Sequence, residues 1–239
     1  TQRGVGNGIS LIIFAGIIAE LPAALIQTME MGRTGALPTI AIISIMVLAV
    51  AVITGIVFIE RSQRRLIVQY PKRQQGNKMY GGESSHLPWK LNTAGVIPPI
   101  FASSLLLLPI TIAQFTAGNA PGFMTTVTAM LGRGQPLYLA LYGLLIVFFC
   151  YFYTSVVFNP EDTADNLKKY GGFIPGIRPG KNTANYLDFV LTRLTTVGSA
   201  YLVLVALLPE VLISRYGVPF YFGGTSLLIV VTVTLDTVM

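Results

Sequence analysis

Long apolar runs alternate along this chain with two stretches dense in charge. The runs occupy residues 9–28, 37–59, 94–112, 137–158, 189–214 and 221–239, each close to the roughly 20 residues a helix needs to cross a bilayer core. They predict an all-α polytopic membrane protein with six transmembrane helices, forming one membrane domain over residues 1–239. The second run is uniformly apolar and reads as a scaffold helix. The third, NTAGVIPPIFASSLLLLPITI, carries Pro98, Pro99 and Pro109 with Ser103 and Ser104 at its middle turn. These prolines remove backbone donors and predict a kinked span, either merely irregular or able to move. Glu20 stands about 16 Å along the first helix from Ile9 by helical rise, and Pro22 predicts a bend just after it.

The connections at 60–93 and 159–188 are of a different character. Arg61, Arg64, Arg65, Lys72, Arg73, Lys78 and Lys90 fall in the first, Lys168, Lys169, Arg178 and Lys181 in the second, with Arg193 just beyond it. Basic loops stay on the cytoplasmic side, so both are expected inside. Composition agrees: 53% of residues are hydrophobic and 11% charged, against about 25% charged for a soluble domain. In the first loop RLIVQY at 65–70 reads as a strand and Gly76-Asn77 as a hairpin turn, giving a projecting arm. Charge alone allows this loop to be a topology signal only. Its length and its basic residues interleaved with Gln74, Gln75, Asn77 and Tyr80 also suit RNA phosphates or an acidic protein face. In the second loop NPEDTADNLKK reads as a short capped helix, acids first and lysines last. GGFIPGIRPG then forms a punctuated tip presenting Arg178.

The residues encode little reaction chemistry. The single cysteine, Cys150, excludes an intramolecular disulfide framework and reads as a buried thiol. His86 is the only histidine and has no second ligand or base beside it. The glycines of RGVGNGIS and the Gly180-Lys181 pair fail the spacing of nucleotide loops. No cofactor, metal site or enzymatic activity is expected. A secondary transporter is the alternative class, but it calls for paired ionisable groups near the midplane, where Glu20 stands alone. An intramembrane enzyme calls for a catalytic pair at that depth. Asp236 reads as an interfacial acid. The chain starts without methionine and stops within an apolar run, so it is expected to be part of a longer protein.

RGVGNGISLIIFAGI, VFIERSQRR, KRQQG, SSHLPWKLNTAGVIPPIFASS, VFNPEDTADNLKK, GFIPGIRPG and VPFYFGGTSLLIVV, in this order, resemble the C-terminal half of the SecY family, the channel subunits of the bacterial Sec protein translocon. The resemblance implies half of a pseudo-two-fold ten-helix bundle, the six spans being the fifth to tenth helices and the N-terminal half lying elsewhere in the same protein. Its constricting pore ring falls on Ile9, Ile13, Ile100 and Ile229. Ile9 and Ile13, four apart, share one helix face; spacing alone favours a lipid-facing or packing role over a pore ring, and the resemblance reverses that preference. The third and fourth spans become one wall of the lateral gate, with Pro98, Pro99, Ser103 and Ser104. Arg64, Arg65, Lys72, Arg73, Lys78, Arg178 and Lys181 become the docking surface for a ribosome or the SecA ATPase. SecE and SecG, signal sequences and nascent chains, and membrane lipid are the other implied partners, and the bacterial inner membrane is the implied location. Asn77, where a basic residue is common, and Glu20, where the family is small and uncharged, depart from the pattern.

Overall fold

The computed structural model describes residues 8–35, 38–71, 73–75, 78–80, 84–115, 130–132, 135–216 and 224–238. The order of elements is α1 (Gly8–Arg33), α2 (Thr39–Arg61), β1 (Gln63–Gln69), β2 (Arg73–Gln75), β3 (Lys78–Tyr80), β4 (Ser84–Lys90), α3 (Ile97–Phe115), α4 (Pro136–Val157), α5 (Pro160–Lys169), α6 (Lys181–Tyr216) and α7 (Gly224–Val238). Two compact units emerge, one of residues 1–59, 95–149 and 200–239, the other of residues 60–94 and 150–199.

The first unit is helical. Segments of α1, α2, α4 and α6 are long and apolar enough to cross a membrane, whereas α3 and α7 carry shorter apolar stretches, Ile97–Ile112 and Thr225–Leu235. Six spans were expected, and among the described residues four reach full length. The third begins at Ile97 instead of residue 94 because Gly95 takes a left-handed φ of +68° just before it. Pro98 and Pro99 therefore do not kink this helix. They lie in its first turn, where the missing N–H groups have no intrahelical acceptor to lose, and only Pro109 is interior. Pro22 likewise sits inside a continuous α1. Within this unit α1 packs against α7, Phe101 of α3 stacks on Phe149 of α4 at 5.9 Å, and Gly143 of α4 leaves room for Val203 and Leu207 of α6.

The second unit holds the charged loops. β1 pairs antiparallel with β4 from Gln63↔Lys90 to Gln69↔Ser84, and β2 with β3 from Arg73↔Tyr80 to Gln75↔Lys78. The Gly76-Asn77 turn between them lies outside the described residues. Alternation puts Leu66 and Val68 on the inner face of β1, and Trp89 joins them from β4. The second loop is folded too. Asn159 caps α5, its Oδ1 accepting from the Glu161 N–H, with Glu161 and Asp162 in the first turn and Lys168 and Lys169 in the last, the charge order the helix dipole favours. Its buried Ala164 and Leu167 meet the hairpin.

Residues 181–188, expected to close the second loop, instead form the opening turns of α6. Ala184, Leu187, Val190, Leu191 and Leu194 recur at helical spacing and are buried. This amphipathic stripe escapes a search for uniformly apolar runs. The stripe, the hairpin, α5 and Ile174 make one apolar core, with Trp89 edge-on to Phe158 at 4.8 Å. Leu187 is fully buried in it. Leu187→Ala is predicted to destabilise this unit by about 2–5 kcal/mol and to open residues 60–94 and 160–180 together to limited proteolysis. Cleavage confined to one loop would show that they are not packed as one body.

Candidate functional site

Arg64 and Arg65 stand on a strand, Arg178 on a turn and Lys181 on a helix start, all of which carry residues of the second unit's core or adjoin it. Gln69 and Phe173 exchange two backbone hydrogen bonds of 2.9 and 3.0 Å, joining the second loop to the hairpin edge. Gly172 passes so close that an added Cβ would stand 3.0 Å from the Tyr70 ring and 3.1 Å from Val68. Beyond it, Ile174 is buried, and the Ile177 N–H donates to its carbonyl to close a turn. Gly176 and Gly180 adopt φ of +84° and +106°, conformations in which side chains are strained. Between them Arg178 is exposed, and its carbonyl accepts from the hydroxyl of buried Thr183. The tip is thus fixed at its backbone while its guanidinium stays in water.

Lys181 is exposed at the first residue of α6, where a cation faces the positive end of the helix dipole. Arg64 and Arg65 are exposed on β1. Lys72 lies outside the described residues, as do the side chains of Arg73 and Lys78, although β2 and β3 place their backbones on the small hairpin.

The hairpin's root is held by polar contacts that the sequence reading missed. Asn92 Nδ2 donates to Glu60 Oε1 at 2.8 Å, and the Leu91 N–H donates to the Ser62 carbonyl. Gly198 of α6 abuts this segment, a Cβ there falling 2.9 Å from the Leu91 carbonyl oxygen. The only advance signal was an acid at the end of an apolar run and an amide shortly before the next.

The four ring candidates lie on three helices of the first unit. Ile13 of α1 is 37% exposed, Ile229 of α7 is 6% exposed, and Ile100 of α3 is half-buried. α1 and α7 are packed together. The Ile9 side chain lies outside the described residues, as do Phe220, Tyr221, Phe222 and the side chain of Asp236. Glu20 is exposed on α1.

In α3, Pro98 and Pro99 are buried. The hydroxyls of Ser103 and Ser104 both donate to the Ile100 carbonyl at 2.9 Å. Such back-bonding loads one acceptor and weakens the local ladder. Pro109, one turn further on, withholds the N–H that the Leu105 carbonyl would accept. The helix thus has two soft turns in succession.

Helices long and apolar enough to cross a membrane, joined in one chain to a folded, cation-bearing unit, define a polytopic helical membrane protein. A family model described as SecY matches residues 1–238, and the chain belongs to the SecY family. The protein translocase subunits SecY of Rickettsia conorii and of Escherichia coli K12 are each 56% identical over 237 residues, 99% of this chain and 54% of theirs. That of Vibrio cholerae is 55% identical over 240 residues. The chain therefore spans about half the length of the curated relatives it matches. A solved protein-conducting channel superposes with a TM-score of 0.68, covering 98% of this chain and 58% of that one. A SecY structure concerned with the plug domain that stabilises the closed channel gives 0.65, covering 98% and 59%. Both are 19% identical and show a common fold.

Lys181→Glu is predicted to raise thermal stability, since the replacement reverses an unfavourable interaction of about 0.3–1 kcal/mol. The same change is predicted to weaken binding of a polyanionic partner to the full-length protein, measured by co-sedimentation. Equal binding by both proteins would remove Lys181 from the candidate docking residues.

Proposed function

We propose that this chain supplies half of a gated, passive protein-conducting channel in a bacterial inner membrane. The observation that carries the reading is 56% identity over 99% of the chain to translocase subunits. In this reading Ile9, Ile13, Ile100 and Ile229 contribute to an apolar constriction completed by the other half of the protein. Branched apolar side chains exclude water and ions by dewetting, yet yield around an extended polypeptide. α3 and α4, stacked through Phe101 and Phe149, form one wall of a lateral gate through which apolar segments leave for lipid. The doubly loaded Ile100 carbonyl and Pro109 support this role, because a helix with weakened turns can bend at modest cost. SecE and SecG are the expected neighbours in the membrane.

Partner docking falls to the basic face bearing Arg64, Arg65, Arg178 and Lys181, together with Lys72, Arg73 and Lys78. A ribosome offers RNA phosphates and a SecA motor acidic side chains, and exposed cations on a fixed backbone suit either. The driving energy comes from that partner, since the channel itself performs no bond chemistry in this account.

Photo-crosslinkers placed at residues 100 and 178 of the full-length translocase test the reading during transport. Residue 100 is predicted to capture transit polypeptide and residue 178 ribosome or motor. Capture of lipid alone at residue 100 would contradict the pore assignment. Replacing Ile13, Ile100 and Ile229 together by serine is predicted to raise resting ion conductance of reconstituted vesicles several-fold, because a polar collar stays wet. Unchanged conductance would place the seal elsewhere.

A further inference from the structure

A cleft of about 490 Å³ opens in the second unit where the last turns of α4 face α6. Its polar edge is formed by Tyr151, Ser155, Asn159, Asp188 and Thr192. The Thr196 hydroxyl donates to the Thr192 carbonyl, so the 2.6 Å contact with Tyr151 is a bond donated by the phenol. This leaves the Tyr151 oxygen able to accept. Thr154, also lining the cleft, is 4% exposed, and its hydroxyl has no hydrogen-bond partner among the described residues. A buried hydroxyl without a partner is uncommon in a finished structure.

The electrostatics favour a cation. The N-terminus of α5, which would attract an anion, already has Asn159 on the Glu161 N–H and two acids in its first turn. Asp188 adds an exposed carboxylate on the opposite wall. One positive group lies nearby on α6: Arg193, whose guanidinium rests 4.8 Å from the Phe189 ring centroid, about 7.5 Å along the axis from Asp188 by helical rise.

The position favours lipid. The apolar run of α4 ends at this cleft; Val156, which lines it, and Phe152, Phe189 and Val197, on the neighbouring turns of α4 and α6, expose 67, 57, 57 and 54% of their surface. Polar groups thus sit directly at the rim of an apolar wall, the arrangement of a membrane boundary. We propose that this cleft holds the headgroup of a phospholipid bearing a primary ammonium. The ammonium donates to Asp188 and the Tyr151 oxygen, the phosphate lies toward Ser155 and Arg193, and the acyl chains run along the exposed apolar side chains. The proposal requires only that α4 and α6 meet a bilayer, and it is independent of the pore assignment.

The test uses full-length translocase exposed to vesicles of equal phosphatidylethanolamine, phosphatidylcholine and phosphatidylglycerol, with retained lipid counted by native mass spectrometry. Phosphatidylethanolamine is predicted to be retained in preference to phosphatidylcholine, whose methylated nitrogen cannot donate hydrogen bonds. Asp188→Asn, a change of charge without volume at an exposed site, is predicted to lower that retention about tenfold, the loss of one charge-assisted hydrogen bond, with phosphatidylglycerol unaffected. Tyr151→Phe should lower it less. Equal retention of the two ethanolamine and choline lipids, or no change in Asp188→Asn with an unaltered melting temperature, would overturn the proposal. So would displacement of the lipid by an equal concentration of soluble glycerophosphoethanolamine, which would mark the headgroup alone as ligand. A photo-crosslinker at Ser155 is predicted to capture phospholipid, and capture of polypeptide instead would also reject it.

Discussion

The cation-bearing unit depends on burying one face of a narrow hairpin. Two antiparallel strands are marginal alone in water, and β1 with β4 persist because Leu66, Val68 and Trp89 are covered by α5, Ile174 and the first turns of α6. The Trp89–Phe158 contact and the Gln69–Phe173 backbone pair belong to the same arrangement. Without this core the two basic loops would be separate excursions between helices, their cations distributed over many conformations. With it they are faces of one object.

A fixed backbone changes what those cations can do. Arg178 stands on a turn whose glycines carry left-handed φ and whose isoleucines reach into the core, so little loop entropy remains to be lost when a partner arrives. Lys181 occupies a helix start where an acid would be more stable. Such a local conflict is expected where function outweighs stability. Within the helical unit the contrast is with α3, where Ser103, Ser104 and Pro109 weaken successive turns. The chain combines a stiff basic surface with a compliant apolar helix.

Much of this was legible in the residues. The apolar runs marked six of the seven described helices, the β-branched 65–70 segment marked β1, and NPEDTADNLKK marked the seventh as a capped helix. The differences lie where a local rule holds only at certain positions. Pro98 and Pro99 signal a kink only inside a helix, and the left-handed Gly95 moved the helix start so that they fall in its first turn. Residues 181–188 read as loop because their apolar positions follow a stripe instead of a continuous run. The core beneath the loops was missed because Leu66, Val68 and Trp89 are far apart in sequence and each alternates with polar neighbours over only a few positions. Roles for Ile9, Ile13, Ile100 and Ile229 came from family resemblance. Four branched apolar residues carry no mark in the chain to separate a pore wall from a packing surface.

The union of the two loops is most directly tested by amide hydrogen exchange on the full-length protein in lipid bilayers. The N–H groups of Gln69 and Phe173, which bond reciprocally, are predicted to exchange slowly and to lose protection in parallel when Trp89→Ala removes the core. Fast exchange at both in the wild type, or loss of protection at one alone in the variant, would contradict a single folded platform.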